Sequence, residues 1–391
     1  MIGAVRIAAA HARHRWGRSL VVCACLTLTI ALPLVSRAMT SAFDRELRAR
    51  AEGVPLVVGA KGSRFGLVFN ALHFRRSDLD TVPLGLYDEL LNDTTVRAVP
   101  MHARFTAQRV PIAATSIEYF DERGLIVAEG RPFATLGDCV VGASAARSLR
   151  VAPDSTIRSD QARGLDITAA PSIEMRVVGV LAPTGSPDDN AIFVDLETAW
   201  LLEGRSHGHD DADTIDREGE VIGRTEDFVS LSGAVVERQV VTLENARDFH
   251  LHGDRETLPL TSILVFPEDD RAQTILATRL NAGDGYQAVQ PTQVIDDLVA
   301  SVVRIRVIFD GLAVVLGVVV LLLVGLIVLL GIRVRADEIA TMMEIGASRA
   351  TVAAVIGSEL VVLALVAAVL AVGAAAVAGM LASGLLLQLA T

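Results

Sequence analysis

Two stretches without a single charged residue flank a long polar middle, and this layout limits the fold more than any other feature. The first is SLVVCACLTLTIALPLVS, from Ser19 to Ser36, and the second is GLAVVLGVVVLLLVGLIVLLGI, from Gly311 to Ile332. A bilayer-crossing helix needs about 20 apolar residues, so both runs read as membrane spans. Arg6, Arg13, Arg15 and Arg18 precede the first run with no acidic residue among them. The positive-inside rule keeps that end in the cytoplasm and sends residue 40 outside. Ser36-Arg37-Ala38 also offers small residues at a signal-cleavage spacing, but the run is long for a signal peptide. The second span, flanked by Arg333 and Arg335, returns the chain to the cytoplasm.

From Val352 to Thr391 the only charge is Glu359. That run reads as one long helix, or as two short spans if it breaks near Gly373. Gly373, Ala374, Ala375, Ala376, Ala378 and Gly379 would let another helix approach closely.

The middle has a different character. Mean hydropathy over the whole chain is +0.46, yet the formal net charge of −11 belongs mostly to the central region. An acidic region with 4% aromatic residues in the chain argues against a nucleic-acid partner. Lys61 is the only lysine. Cys23 and Cys25 lie inside an apolar run and Cys139 stands alone in the polar region, so no disulfide framework is expected.

TSAFDRELRARAEG continues the first span as a helix ending at Gly53, and a helix beginning at Pro291 leads into the second. Between these two stalks, β-type runs alternate with turn residues: PLVVGA, RVPIAAT, CVVGAS, MRVVGVL, NAIFVDL and TSILVFP. LDTVPLGLYDELLND and ETAWLLEG have the spacing of short amphipathic helices. The fold class is therefore a membrane protein. A helical transmembrane bundle of three spans, or four, carries a large α+β extracytoplasmic domain on helical stalks. The expected divisions are a basic N-terminus 1–18, a span 19–38, the outer domain with its stalks 39–306, a span 307–332, a cytoplasmic helix 333–351 and the last span or spans 352–391.

Catalytic motifs are absent. There is no G-x-x-x-x-G-K-[ST], no G-x-S-x-G and no H-E-x-x-H. GAKGS, Gly59 to Ser63, has the wrong glycine spacing for a P-loop and reads as a surface turn, and LSGA at Leu231 lacks the rest of an ABC signature. The chain is expected to be a non-catalytic subunit with no cofactor of its own, any ATP being bound by another chain. One cluster carries metal-ligand chemistry: His207 and His209 stand beside Asp210 and Asp211, and His250 and His252 follow later. Imidazole and carboxylate together suit zinc or a similar divalent ion.

After the second span comes RVRADEIATMMEIGASRATVAAVIGSELVVL. Its first half is an amphipathic helix that Gly346 ends, with Ser348 placed to cap the next. The pattern R-x-R-x-x-E-I-A-x-M-x-x-x-G-A-S-R, with Glu359 following it into an apolar run, resembles the core signature of the FtsX/MacB-like permease family. LVVGAKGS and VVGVLAPTGSPDDNAIFVDLETAW are similar to periplasmic segments of that family. The resemblance implies a bacterial inner-membrane permease, multi-pass, that dimerises and docks an ABC-type ATPase on its cytoplasmic helix. Membrane lipid and a periplasmic partner complete the expected contacts.

The residues carried over to ATPase coupling are Arg333, Arg335, Glu338, Ile339, Met342, Gly346, Ala347, Ser348 and Arg349. ATP binding and release would then drive work in the periplasm on exported or extracted cargo. A non-transporting signal transducer and a membrane-anchored sensor without an ATPase are the alternatives. The family usually carries four spans, so either the C-terminal run folds as two or the fourth is missing.

Overall fold

A computed structural model describes residues 16–76, 79–160, 173–204, 206–208, 221–225, 228–231, 249–251, 254–334, 336–346 and 348–389. Two units result, one from residues 1–46 and 297–386, the other centred on 47–296. The boundaries fall inside two long helices, α1 (Trp16–Glu52) and α8 (Pro291–Val334).

In the first unit, α9 (Ala336–Glu344) and α10 (Arg349–Leu389) complete the helices. Among the described residues, three helices are long and apolar enough to cross a bilayer: α1, α8 and α10. At 44 residues, α8 is about 66 Å long, roughly twice the hydrocarbon thickness. Leu321, Leu322 and Leu329 of α8 and Val369 of α10 are exposed. The C-terminal run is a single continuous helix through Gly373. A Cβ on Gly379 would lie 3.7 Å from that of Ala38, and one on Gly317 would lie 3.7 Å from the Thr29 methyl. Of the small-residue stretch, Gly379 therefore lies at ordinary packing distance from α1, whereas nothing lies within 4 Å of a Cβ on Gly373. Arg37 of α1 reaches Asp310 of α8 at 3.5 Å, and Arg306 reaches the same carboxylate at 3.7 Å. This charged knot sits where both apolar runs stop.

The second unit is built on a ten-stranded sheet. Its strands are β1 (Leu56–Ala60), β3 (Val96–Ala107), β4 (Val110–Thr115), β5 (Val127–Gly130), β6 (Asp138–Val141), β7 (Thr156–Arg158), β8 (Glu174–Leu181), β9 (Ile192–Val194), β15 (Ser262–Pro267) and β16 (Tyr286–Val289). The order is β16-β1-β15-β3-β4-β9-β6-β8-β5, with β7 also on β8. Pairing is antiparallel except for β4 with β9 and β6 with β8. β2 (Val82–Pro83) pairs with β14 (Pro259–Leu260), β10 (Ser206–Gly208) with β13 (Phe249–Leu251), and β11 (Val221–Thr225) with β12 (Phe228–Leu231).

Around the sheet lie α2 (Arg64–His73), α3 (Leu84–Leu91), α4 (Glu118–Arg123), α5 (Ala143–Leu149), α6 (Leu196–Leu202) and α7 (Asp270–Ala282). One apolar cluster gathers Ile112, Cys139, Val141, Met175, Val177 and Ile192 against α5 and α6. A second gathers Leu56, Val58, Ile263 and Val265 against α3 and α7. Strand alternation sends Phe193 to the face opposite Ile192 and Val194. There it meets Phe74, Tyr119 and Phe120 at ring-centroid distances of 5.5 to 5.7 Å.

GAKGS is the surface turn expected. Ser63 caps α2 by accepting the Gly66 amide at 3.0 Å, and exposed Lys61 donates to the Gly283 carbonyl at 3.1 Å and reaches Asp284 at 3.3 Å. Cys139 is free and fully buried on β6, so it belongs to the core rather than to the polar surface. Burial pushes its thiol pKa up and leaves it inert.

Candidate functional site

The last turns of α1 bury Leu47, Arg50 and Ala51, and Val54 just beyond the helix is buried too. That spacing is one helical face, and an arginine stands in the middle of it. Its guanidinium side chain is 3% exposed and that of Asp188 is 0% exposed. A charge this deep survives only if every donor finds a partner.

Arg50 Nη1 bonds one Asp188 oxygen, and Nη2 donates to the other at 2.8 Å. Nη2 also reaches the Tyr119 hydroxyl at 2.9 Å, and Nε donates to the Leu72 carbonyl at 2.9 Å. Leu72 lies in the final turn of α2, where Phe74 takes the left-handed conformation (φ 56°) that terminates the helix. Carbonyls there lack intrahelical partners and attract cations. Phe74 also lays its ring 5.8 Å below the guanidinium carbon.

Asp188 sits in the 3-10 turn Pro187–Asn190 that Ser186 caps. Its carboxylate accepts the Tyr119 hydroxyl at 2.7 Å and the Ser186 hydroxyl at 2.7 Å. Gly142, at the start of α5, backs this turn so closely that a Cβ there would lie 2.2 Å from the Asp188 carbonyl oxygen.

Burial alone would raise the Asp188 pKa, but the Arg50 charge and the hydrogen bonds outweigh it and hold the carboxyl below its ordinary value. Burial likewise opposes the charge on Arg50, and Asp188 more than restores it. Tyr119 is pushed up by burial first, and stays a neutral donor. His73, next to Leu72, is lowered to about 4 by burial and then by the Arg50 charge. The arrangement is a stoichiometric ion pair with its lone pairs filled. It holds α1, α2, α4 and the 3-10 turn together.

The sequence signature falls on a second feature, the connection between α8 and α10. Arg333 is exposed at the end of α8. Glu338, Ile339 and Met342 lie on α9, with Ile339 and Met342 at a three-residue spacing that shares a face. Gly346 has φ +96°, a conformation that favours glycine and stops the helix. Ser348 accepts the Thr351 amide at 3.2 Å and so caps α10, whose first residue is the exposed Arg349. Met343 and Ile345 stand exposed, Ile345 at 82%. Arg335 and Ala347 lie outside the described residues, as do His209, Asp210 and Asp211. His207 lies on β10. Among the described residues no group of three or more metal-ligating side chains converges.

Sequence reasoning missed Arg50 and Asp188. They are 138 positions apart, and the only local signal was an arginine at a buried helical spacing.

These features define a class: a membrane protein with a large α+β domain and long apolar helices. Residues 21–237 match the model of the MacB-like periplasmic core domain, and the chain belongs to that family. The matched span contains both Arg50 and Asp188. The family is of the ABC-transporter permease type. Among solved structures, the periplasmic region of MacB from Actinobacillus actinomycetemcomitans is 11% identical, covering 64% of this chain and 97% of that one with a TM-score of 0.36. The extracellular domain of the noncanonic ABC-type transporter YknZ from Gram-positive bacteria is 13% identical, covering 60% and 98% with a TM-score of 0.33. No curated protein matches the chain.

Proposed function

We propose that the chain is the permease subunit of a MacB-like ABC system and couples ATP hydrolysis on a separate subunit to conformational work in the periplasm. The observation that carries this is α9, a short helix between two apolar spans. It bears Glu338, Ile339, Met342 and the exposed Met343, and the exposed Ile345 and the Gly346 turn follow. An apolar group held out in water at a membrane surface is suited to burial by a soluble partner. In this reading the ATPase docks on 333–349 and its cycle moves α1 and α8. The large domain then handles cargo at the outer face of a bacterial inner membrane, the working unit being a homodimer.

The test is affinity purification of the full chain in mild detergent. An ABC-type ATPase should come with the wild type. Glu338→Ala and Gly346→Val should release it, or abolish stimulation of its ATP turnover, with membrane insertion intact. Unchanged coupling in both variants would remove the docking assignment.

A further inference from the structure

α1 and α10 leave an apolar groove between them, lined by Ser19, Cys23, Ala24 and Thr27 of α1 and by Leu363 and Leu370 of α10, with a volume of about 600 Å³. We infer that it holds one acyl chain of a glycerophospholipid from the cytoplasmic leaflet, with the Ser19 hydroxyl donating to that lipid's ester carbonyl. Dimensions choose a hydrocarbon chain over a helix. From Ser19 to Ala31, the far end of the lining, α1 rises about 18 Å at 1.5 Å per residue. Spread along that length, about 600 Å³ leaves a channel roughly 6–7 Å across, whereas a helix with its side chains needs about 10–12 Å. The length is close to one leaflet, half of a hydrocarbon core about 30 Å thick. Ser19 opens the apolar run next to Arg18, at the membrane interface that the charge rule puts on the cytoplasmic side.

Ser19 supplies the second observation. It is 6% exposed, and its hydroxyl oxygen is buried without a hydrogen-bond partner. Other hydroxyls of α1 bond their own helix, Thr29 to the Cys25 carbonyl and Thr40 to the Ser36 carbonyl, each at 2.8 Å. Within the groove, Cys23 Sγ and Thr27 Oγ1 lie 4.0 Å apart and answer each other. A buried hydroxyl left unmet costs free energy, and at the edge of the hydrocarbon a lipid ester carbonyl is the acceptor at hand. The inference rests on α1 and α10 crossing the membrane and is independent of ATPase docking.

The experiment is a titration of the full chain, stripped of lipid in mild detergent, with palmitoyl-oleoyl phosphatidylglycerol, read by native mass spectrometry. One lipid per chain should bind the wild type. Ser19→Ala should weaken binding about three- to tenfold, the worth of one neutral hydrogen bond. Ala24→Phe, which fills the groove, should abolish it. The diether analogue lacks the carbonyl, and should bind the wild type as weakly as the ester lipid binds Ser19→Ala. No lipid on the wild type, or binding that Ala24→Phe leaves unchanged, overturns the site. Equal binding of ester and ether lipids to the wild type overturns the Ser19 contact, a comparison that stands even if a variant fails to fold. A lipid-free wild type that runs as a dimer, split by Ala24→Phe, overturns the lipid in favour of a second copy of the chain.

Discussion

Replacing Arg50 with alanine strands the Asp188 carboxylate at a site where its side chain is 0% exposed. Breaking a buried pair from one side costs about 3–5 kcal/mol, because the remaining charge has lost its partner. The Leu72 carbonyl also loses its donor, while Asp188 keeps bonds from Tyr119 and Ser186. At about 2–4 °C per kcal/mol for a domain of this size, the melting temperature should fall by roughly 6–20 °C. Asp188→Asn should cost a similar amount by isolating the guanidinium. Arg50→Met combined with Asp188→Leu removes both charges, and should recover part of the loss, because apolar replacement of a whole pair is often close to neutral.

The assay is thermal unfolding of the full chain at pH 7 and at acid pH, run as a double-mutant cycle. The folded pKa of Asp188 is depressed, so its contribution is present above the unfolded value of about 3.9 and fades as pH falls through the folded one. The gap between wild type and Arg50→Ala should therefore persist at pH 7 and close in strong acid. A shift under 2 °C at neutral pH, or simple additivity of the two single changes, would refute the account.

His73 should make the domain acid-sensitive in a different window. Its pKa is lowered to about 4, so the unfolded chain takes up protons first and stability drops by roughly 3 kcal/mol as pH falls from about 6.5 to 4. His73→Phe should flatten the denaturant midpoint over that range; an unchanged slope would count against it. Gly142→Ala should destabilise by about 1–3 kcal/mol, since its Cβ would meet the Asp188 carbonyl oxygen at 2.2 Å. Gly62→Ala, with nothing within 4 Å, should stay within about 0.5 kcal/mol; equal denaturant shifts for the two would show that the contact does not matter.

Much of the frame was legible because it rests on local pattern. The Pro291 start of α8 and the end of α1 just before Gly53 follow from helix punctuation. The runs PLVVGA, RVPIAAT, MRVVGVL, NAIFVDL and TSILVFP are β1, β4, β8, β9 and β15. β3 escaped because Arg97, Pro100, His102 and Arg104 interrupt its apolar pattern. Tertiary pairing supplies what the pattern lacks: His102 Nε2 lies 3.2 Å from Glu203, and Arg104 3.3 Å from the same carboxylate. Strand order could not be read, because pairing such as β4 beside β9 joins segments far apart in sequence. Of the sites, the signature on α9 was visible as a motif. The Arg50–Asp188 pair exists only once α1, α2, α4 and the 3-10 turn have met.

The lone lysine has a practical use. Lys61 stands exposed in the turn between β1 and α2, beside Asp284. It is the single lysine in the sequence. An amine-directed fluorophore or cross-linker at mildly alkaline pH would mark one known point on the outer domain without any engineered cysteine. A lysine-specific protease would have a single peptide bond to cut, just past the first strand. The natural sequence thus already carries a reporter for movement at that end of β1.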